Sequence, residues 1–266
     1  DKDIEYITDD SRKCRKGTLF VCHKNAHAYA ADALSRGAEL IVADGSFEGD
    51  AVRFEDTRKA FALLSSAFFG NCHKSLRLIG VTGTNGKTTT ASMIHTVLTV
   101  AGKKCGLISS VTNNTCDAET SAELTTPDCF SLHKMLYRMK KSGAEFCVLE
   151  ASSQGLCQQR LYGLEFEAAV LTNLASDHLD YHKTPEDYKK SKLMLFENAG
   201  VSVINLDDKA KNEFIAASGG RTVTYSLSDN SATYTAKCID CRDDGTDYAF
   251  VGDSIIHRIK LNVPGI

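Results

Sequence analysis

Gly80-Val-Thr-Gly-Thr-Asn-Gly-Lys-Thr-Thr-Thr90 follows an apolar run, Leu76 to Val81, and opens an amphipathic one, Lys87 to Ala101. A glycine-rich turn between a strand and a helix is the shape of a phosphate cradle. Glycines at 83 and 86 let backbone N–H groups curl around an anion, and a helix starting near Lys87 aims its positive end at it. Lys87 then neutralises the outer phosphate oxygens, and the Thr88 hydroxyl reaches Mg2+. The strict spacing GxxxxGK[ST] is not met, because Gly80 lies six residues before Gly86, where the pattern asks for five. The competing reading is a strand–turn–helix corner that is merely rich in glycine. The Gly-Lys-Thr-Thr run favours nucleotide binding, with Gly83, Thr84, Asn85, Gly86, Lys87, Thr88 and Thr89 as the expected contacts.

Outward from this loop, short β-branched or apolar runs alternate with longer amphipathic ones, the pattern of βαβ units and a mostly parallel sheet. Before it, Thr18 to Cys22 and Leu40 to Ala43 read as strands, and Ala28 to Arg36 and Thr57 to Phe69 as helices, with Gly70-Asn71 as a stop. After it, Cys105 to Ser109, Phe146 to Glu150, Ala168 to Leu171 and Val201 to Asn205 read as strands. Helices fit Pro127 to Lys141, Pro185 to Asn198 and Ala210 to Ser218. Beyond Arg221 short strands carry turn signals at Asp244-Gly245 and Gly252-Asp253, which suggests an antiparallel tail. The expected class is α/β: a small N-terminal α/β domain over residues 1–75, then a P-loop-type central domain over 76–266. That central domain has a mostly parallel sheet and a C-terminal antiparallel extension.

Composition narrows the surroundings. The 266 residues are 42% hydrophobic and 24% charged, which is ordinary globular usage. A net charge of −3 gives no bulk attraction to nucleic acid or anionic membrane. No apolar run approaches the roughly 18 residues of a membrane span, and the first residues do not read as a signal peptide. Ten cysteines without framework spacing read as reduced cytosolic thiols, most of them small buried hydrophobes, and a cytoplasmic monomer is the expectation. Cys238-Ile-Asp-Cys241 is a single CxxC. A zinc site needs about four ligands, and the nearest other donor, His257, lacks a partner spacing.

A P-loop protein also needs a metal-side carboxylate at the end of a neighbouring strand. Glu150 closes Phe146-Cys-Val-Leu-Glu150 and is a candidate, or an ordinary strand-terminal glutamate. Leu171-Thr-Asn-Leu-Ala-Ser-Asp-His-Leu-Asp-Tyr-His182 offers His178 and His182 at i, i+4, a zinc pair if helical or two solvated histidines. Asp177 and Asp180 lean toward a hard cation. Lys189, Lys190 and Lys192 in Tyr188-Lys-Lys-Ser-Lys-Leu-Met-Leu-Phe196 are by spacing alone a solvated helix face.

Taken in order, TGTNGKTTT, LEASSQGL (149–156), TNLASDHLDYH and YKKSKLMLF resemble the ATP-dependent Mur ligase family, itself similar to folylpolyglutamate synthetases. Leu124-Thr-Thr-Pro-Asp128 most resembles the branch that adds the third amino acid to UDP-N-acetylmuramoyl-L-alanyl-D-glutamate, a peptidoglycan precursor. Asp10-Ser-Arg12 followed by Gly17-Thr-Leu-Phe-Val21 is similar to that branch's uridine-binding domain. The resemblance implies a ligase using ATP and Mg2+. Lys87, His178 and Lys192 become catalytic, with Lys192 carbamylated so that a cation turns into a carboxylate-like acceptor. Thr88, Glu150, His178 and Lys192 become metal ligands. Ser11, Thr125, Thr126, Ser152, Gln158 and Arg160 become contacts to the UDP-muramoyl dipeptide, and the incoming amino acid is diaminopimelate or lysine. Lys189 and Lys190 keep the solvated reading.

After Phe20 the family carries a segment with Asp-Gly-His, whereas this chain has Cys22-His-Lys-Asn-Ala-His-Ala-Tyr29. Pro264-Gly265 resembles the segment that precedes the family's third domain. The expectation is a chain without that domain, binding its ligands but ligating negligibly alone. A folylpolyglutamate-type ligase leaves the Asp10-Ser-Arg12 region unexplained. A nucleotide switch leaves His178 and Lys192 without a joint role.

Overall fold

Thr18-Leu-Phe-Val-Cys22 has no polar alternation, as a strand covered on both faces requires. In the computed structural model, which describes residues 3–175 and 181–263, it forms β2 (Thr18–Cys22) beside β1 (Tyr6–Thr8), β3 (Ala38–Ala43) and β4 (Val52–Arg53). The order is β1-β2-β3-β4 and every pairing is parallel. Leu19 and Val21 pack with Val42, Ala60, Phe61 and Phe130 on one face. Phe20 and Cys22 pack with Ala30, Ala33 and Ile41 on the other. α1 (Ala30–Ser35) follows a 3-10 turn over Lys24–Tyr29, so the expected helix from Ala28 begins in a tighter coil. In α2 (Thr57–Phe68) the Asp56 carboxylate caps the first turn by accepting the N–H groups of Arg58 and Lys59.

β5 (Arg77–Thr82) leads into α3 (Lys87–Val100). Then come β6 (Cys105–Ile108), β7 (Thr112–Asn114), β8 (Glu119–Ser121), α4 (Cys129–Lys141), β9 (Phe146–Glu150) and α5 (Ser153–Cys157). β6 pairs with β9 in parallel and with β7 antiparallel. After β10 (Phe166–Leu171) comes α6 (Pro185–Glu197), whose start carries the full signature: Thr184 as cap, Pro185 first, Glu186 and Asp187 in the first turn. β11 (Ala199–Asn205), α7 (Lys211–Ala217) and β12 (Arg221–Ser226) follow. β13 (Tyr234–Arg242), β14 (Gly245–Gly252) and β15 (Ile255–Leu261) complete the strands.

The α/β class stands, with one correction in the tail. β12 pairs parallel with β11, from Val201↔Arg221 to Asn205↔Tyr225, so the antiparallel part starts at β13–β14 rather than at Arg221. The helix α7 between β11 and β12 makes that pairing a crossover unit, and crossovers return strands in parallel. The chain forms two compact units, Asp1–Arg77 with Ile94–Leu164 and Leu78–Met93 with Glu165–Ile266. In the first, the β1–β4 sheet shares its core with α2 and with Cys129 and Phe130 of α4. In the second, β10 lies between β5 and β11, with Phe196 of α6 against Phe214 of α7 at 5.1 Å. No helix among the described residues is long and apolar enough to cross a membrane.

Candidate functional site

The phosphate loop runs from the end of β5 into α3, and two glycines turn it. Gly83 has φ 150° and Gly86 φ 79°, both outside the range a side chain accepts readily. A Cβ on Gly83 would stand 1.9 Å from Thr172 Oγ1. Gly80 does something different. A Cβ there would meet Leu195 of α6 at 2.8 Å, so this glycine serves strand packing and its spacing to Gly86 says nothing about phosphate. Asn173, just past β10, fixes the crown of the loop. Its backbone carbonyl accepts Thr84 N–H at 2.8 Å, its Oδ1 accepts Asn85 N–H at 3.0 Å, and its Nδ2 donates to Asn85 O at 3.1 Å. Lys87 curls back, donating to Gly83 O at 3.0 Å and Thr84 O at 2.8 Å.

Thr84 ties the loop to two other segments. Its hydroxyl oxygen accepts Ala175 N–H at 2.9 Å and lies 3.1 Å from the Tyr188 hydroxyl. Tyr188 and Lys192 occupy successive turns of α6, and both are buried. Lys192 Nζ donates to Gly83 O at 2.8 Å and sits 4.4 Å from the Tyr188 ring centroid. At 1% exposure Lys192 contradicts the solvated-face reading that spacing alone gives. Lys190 keeps that reading, being exposed, whereas Lys189 is half-buried and pairs with Glu186 at 3.2 Å and Glu213 at 3.0 Å.

In the other unit, Glu150 ends β9 at 0% exposure. Ser110 donates to both of its carboxylate oxygens, from N–H at 2.8 Å and from Oγ at 2.9 Å. Ser110 Oγ is also 3.1 Å from Thr125 Oγ1. The Thr126 hydroxyl donates to Glu150 O at 2.8 Å and accepts Ser152 N–H at 2.9 Å, while Ser152 Oγ caps α5. Arg160 reaches back to Thr126 O, and its Nε donates to Gln158 Oε1 at 3.0 Å. Thr125, Thr126, Ser152, Gln158 and Arg160, grouped by the sequence resemblance, thus form one linked network with Glu150. It borders a cavity of about 260 Å3 lined in part by Asp9, His23, Arg58, Asp128, Gln158 and Arg160. The cavity wall is charged: burial, with Asp9 and Asp128 nearby, pushes the Cys129 thiol well above its ordinary range.

Residues 81–266 match the Mur ligase middle domain. The chain belongs to the Mur ligase family. It is similar to a curated UDP-N-acetylmuramoyl-L-alanyl-D-glutamate–2,6-diaminopimelate ligase from Clostridium botulinum, 38% identical over 275 residues, covering 99% of this chain and 57% of that protein. A solved structure of a ligase of that same description matches with TM-score 0.86 at 30% identity, covering 98% of this chain and 56% of the other. A MurF ligase from Thermotoga maritima in complex with ADP shares the fold, with TM-score 0.60 at 21% identity, covering 98% of this chain and 58% of the other. The chain therefore spans a little over half the length of the curated relatives it matches.

Of the other candidate residues in this Mur ligase chain, His178 lies outside the described residues. His182 precedes α6, which begins at Pro185, and its ring packs 5.3 Å from that of Tyr188; the expected i, i+4 pair with His178 lies partly outside the described residues. Ser11 is buried away from the cavity lining, and its hydroxyl, with Arg36, holds the Asp32 carboxyl below the usual carboxylate range. Thr88 is partly buried and Thr89 exposed on the first turn of α3. Cys238 and Cys241 are exposed free thiols on β13, whereas Cys14, Cys22, Cys72, Cys105, Cys129 and Cys147 are buried as expected. Sequence reasoning missed Asn173, Ser110 and Arg58. The first stood inside a quoted motif, but nothing local marks the other two.

Proposed function

We propose that the protein is an ATP-dependent amide-bond ligase that adds the third amino acid, diaminopimelate, to UDP-N-acetylmuramoyl-L-alanyl-D-glutamate. The observation that carries this is Lys192, whose Nζ is buried at 1% exposure and held 2.8 Å from the carbonyl of Gly83 in the phosphate loop. A loop that only reports nucleotide state has no use for a buried amine there. As a carbamate the side chain would instead offer oxygens that suit a metal. The ammonium first gives up one proton; the nitrogen lone pair so freed attacks the carbon of CO2, a second N–H proton leaves, and an anionic acceptor replaces a cation. The names of the 38%-identical relatives support the substrate and the amino acid.

The donor chemistry suits Mg2+: the Glu150 carboxylate and the Thr88 hydroxyl are hard oxygens, and His178 with carbamylated Lys192 completes the set implied by the resemblance. When bound, Mg2+ would neutralise crowded phosphate oxygens. Lys87 and the N–H groups of the loop hold the triphosphate. A glutamyl carboxylate oxygen attacks the γ-phosphorus, the bond to the ADP oxygen breaks, and an acyl phosphate forms. The amine then attacks the acyl carbon, phosphate leaves and the amine gives up a proton. Residues 1–75 would hold the UDP end and residues 76–266 the ATP.

A thermal-shift series with the UDP-dipeptide, UDP, Mg2+-ATP and a folate tests this. A ligand at about a hundred times its Kd stabilises by about 2.7 kcal/mol, roughly 5–10 °C for a chain of this size. Shifts with Mg2+-ATP, and with the UDP-dipeptide beyond UDP, are expected. A shift with folate but not with the UDP-dipeptide would overturn the assignment.

A further inference from the structure

Arg58 stands in the first turn of α2, where the helix dipole disfavours a cation. The helix gains nothing from it there, since Asp56 already caps that turn. The guanidinium faces the cavity that Gln158 and Arg160 also line. Its contact among the described residues is one long N–H to the carbonyl of Cys157 at 3.4 Å, and it forms no ion pair among them. The other charged groups of the cavity are engaged. Asp128 accepts the N–H of Ser131 at 2.9 Å and its hydroxyl at 2.8 Å. Asp9 pairs with His23 at 3.3 Å. Arg160 already gives three of its five N–H groups to Gln158 Oε1 and Thr126 O. Among the described residues of this cavity, Arg58 thus has the fork of donors least engaged, and such a fork matches a planar carboxylate.

The proposed substrate supplies one. A glutamyl residue has two carboxylates, and forming the acyl phosphate consumes one of them. The other stays anionic and has to be held apart from the incoming phosphoryl group if a single acyl phosphate is to form. We infer that Arg58 binds this second, non-reacting carboxylate and thereby fixes which end of the glutamyl residue is activated. The inference rests on the ligase reading above and adds to it a specificity residue from α2.

Calorimetric titration of the chain and of its Arg58→Gln and Arg58→Lys variants tests it, with three ligands: UDP-N-acetylmuramoyl-L-alanyl-D-glutamate, its analogue with the non-reacting carboxylate made a carboxamide, and UDP. Losing a charged hydrogen-bonded contact is expected to weaken dipeptide binding by roughly 10- to 100-fold in Arg58→Gln. Arg58→Lys should fall in between, because an ammonium keeps the charge and loses the fork. The carboxamide analogue should bind the wild-type chain and Arg58→Gln alike, and UDP should not distinguish them. Unchanged dipeptide affinity in Arg58→Gln overturns the inference. So does an equal loss for UDP, which would make Arg58 a phosphate or structural residue. If the wild-type chain itself ignores the dipeptide, the ligase reading falls first and this inference with it.

Discussion

At φ 150°, Gly83 brings its Cα so close to β10 that any side chain would displace Thr172 Oγ1, 1.9 Å from where its Cβ would stand. At Gly86 a side chain would be opposed by the φ of 79° alone, since the nearest atom is 4.0 Å from a Cβ. Gly83→Ala is therefore expected to lose about 1–3 kcal/mol of stability together with nucleotide affinity, and Gly86→Ala to lose less. Denaturant titration of both checks the order; equal losses would contradict it. Lys192 gives a second test. Incubation with 13C-bicarbonate should produce a carbamate resonance that disappears in Lys192→Ala and survives in Lys189→Ala. A resonance that persists in Lys192→Ala would assign the carbamate elsewhere. At this scale the loop glycines are readable from the sequence because each acts through its own backbone. Lys192 is not separable from Lys189 and Lys190 by spacing, since what distinguishes it is burial against Tyr188, and only the family resemblance singles it out.

Helix ends and buried polar pairs decide behaviour at the scale of elements. The Asp56 carboxylate accepts two N–H groups of α2, so Asp56→Ala should cost about 1 kcal/mol, read as a lower thermal midpoint. On α4, His133 is 1% exposed, with the ring of His73 5.8 Å away. Burial, then the nearby His73, pushes its imidazole down to about 3. The unfolded chain takes up that proton near pH 6.5 and the folded one only near pH 3. Stability is thus complete above about pH 6.5 and is lost as the pH falls. Between pH 7 and pH 5 the loss is about 2 kcal/mol from this group. Urea midpoints should fall accordingly, and His133→Leu should flatten the dependence; an unchanged slope in that variant would refute the assignment. Long elements with caps, such as α6 after Thr184-Pro185, are legible in the sequence. β1, β4, β7 and β8 are not, because two or three residues carry no periodicity.

Over the whole chain, what the sequence hides is contact between distant segments. Ser110 lies 40 residues from the Glu150 it orients, and Arg58 lies 99 residues from Cys157. Neither pairing leaves a local mark. The βαβ alternation does reveal the α/β class, since the longer strands and helices announce themselves, but the parallel placement of β12 depends on a crossover that only the assembled sheet displays. The proposed ligase assignment joins these scales, because it draws on a glycine-turned loop, a buried amine and the hydrogen-bonded network around Glu150. Calorimetric titration with UDP-N-acetylmuramoyl-L-alanyl-D-glutamate, with UDP in parallel, tests it most directly. The predicted result is saturable one-to-one binding of the dipeptide at least about tenfold tighter than UDP, as one added charged contact alone would give. Binding no tighter than UDP would contradict it.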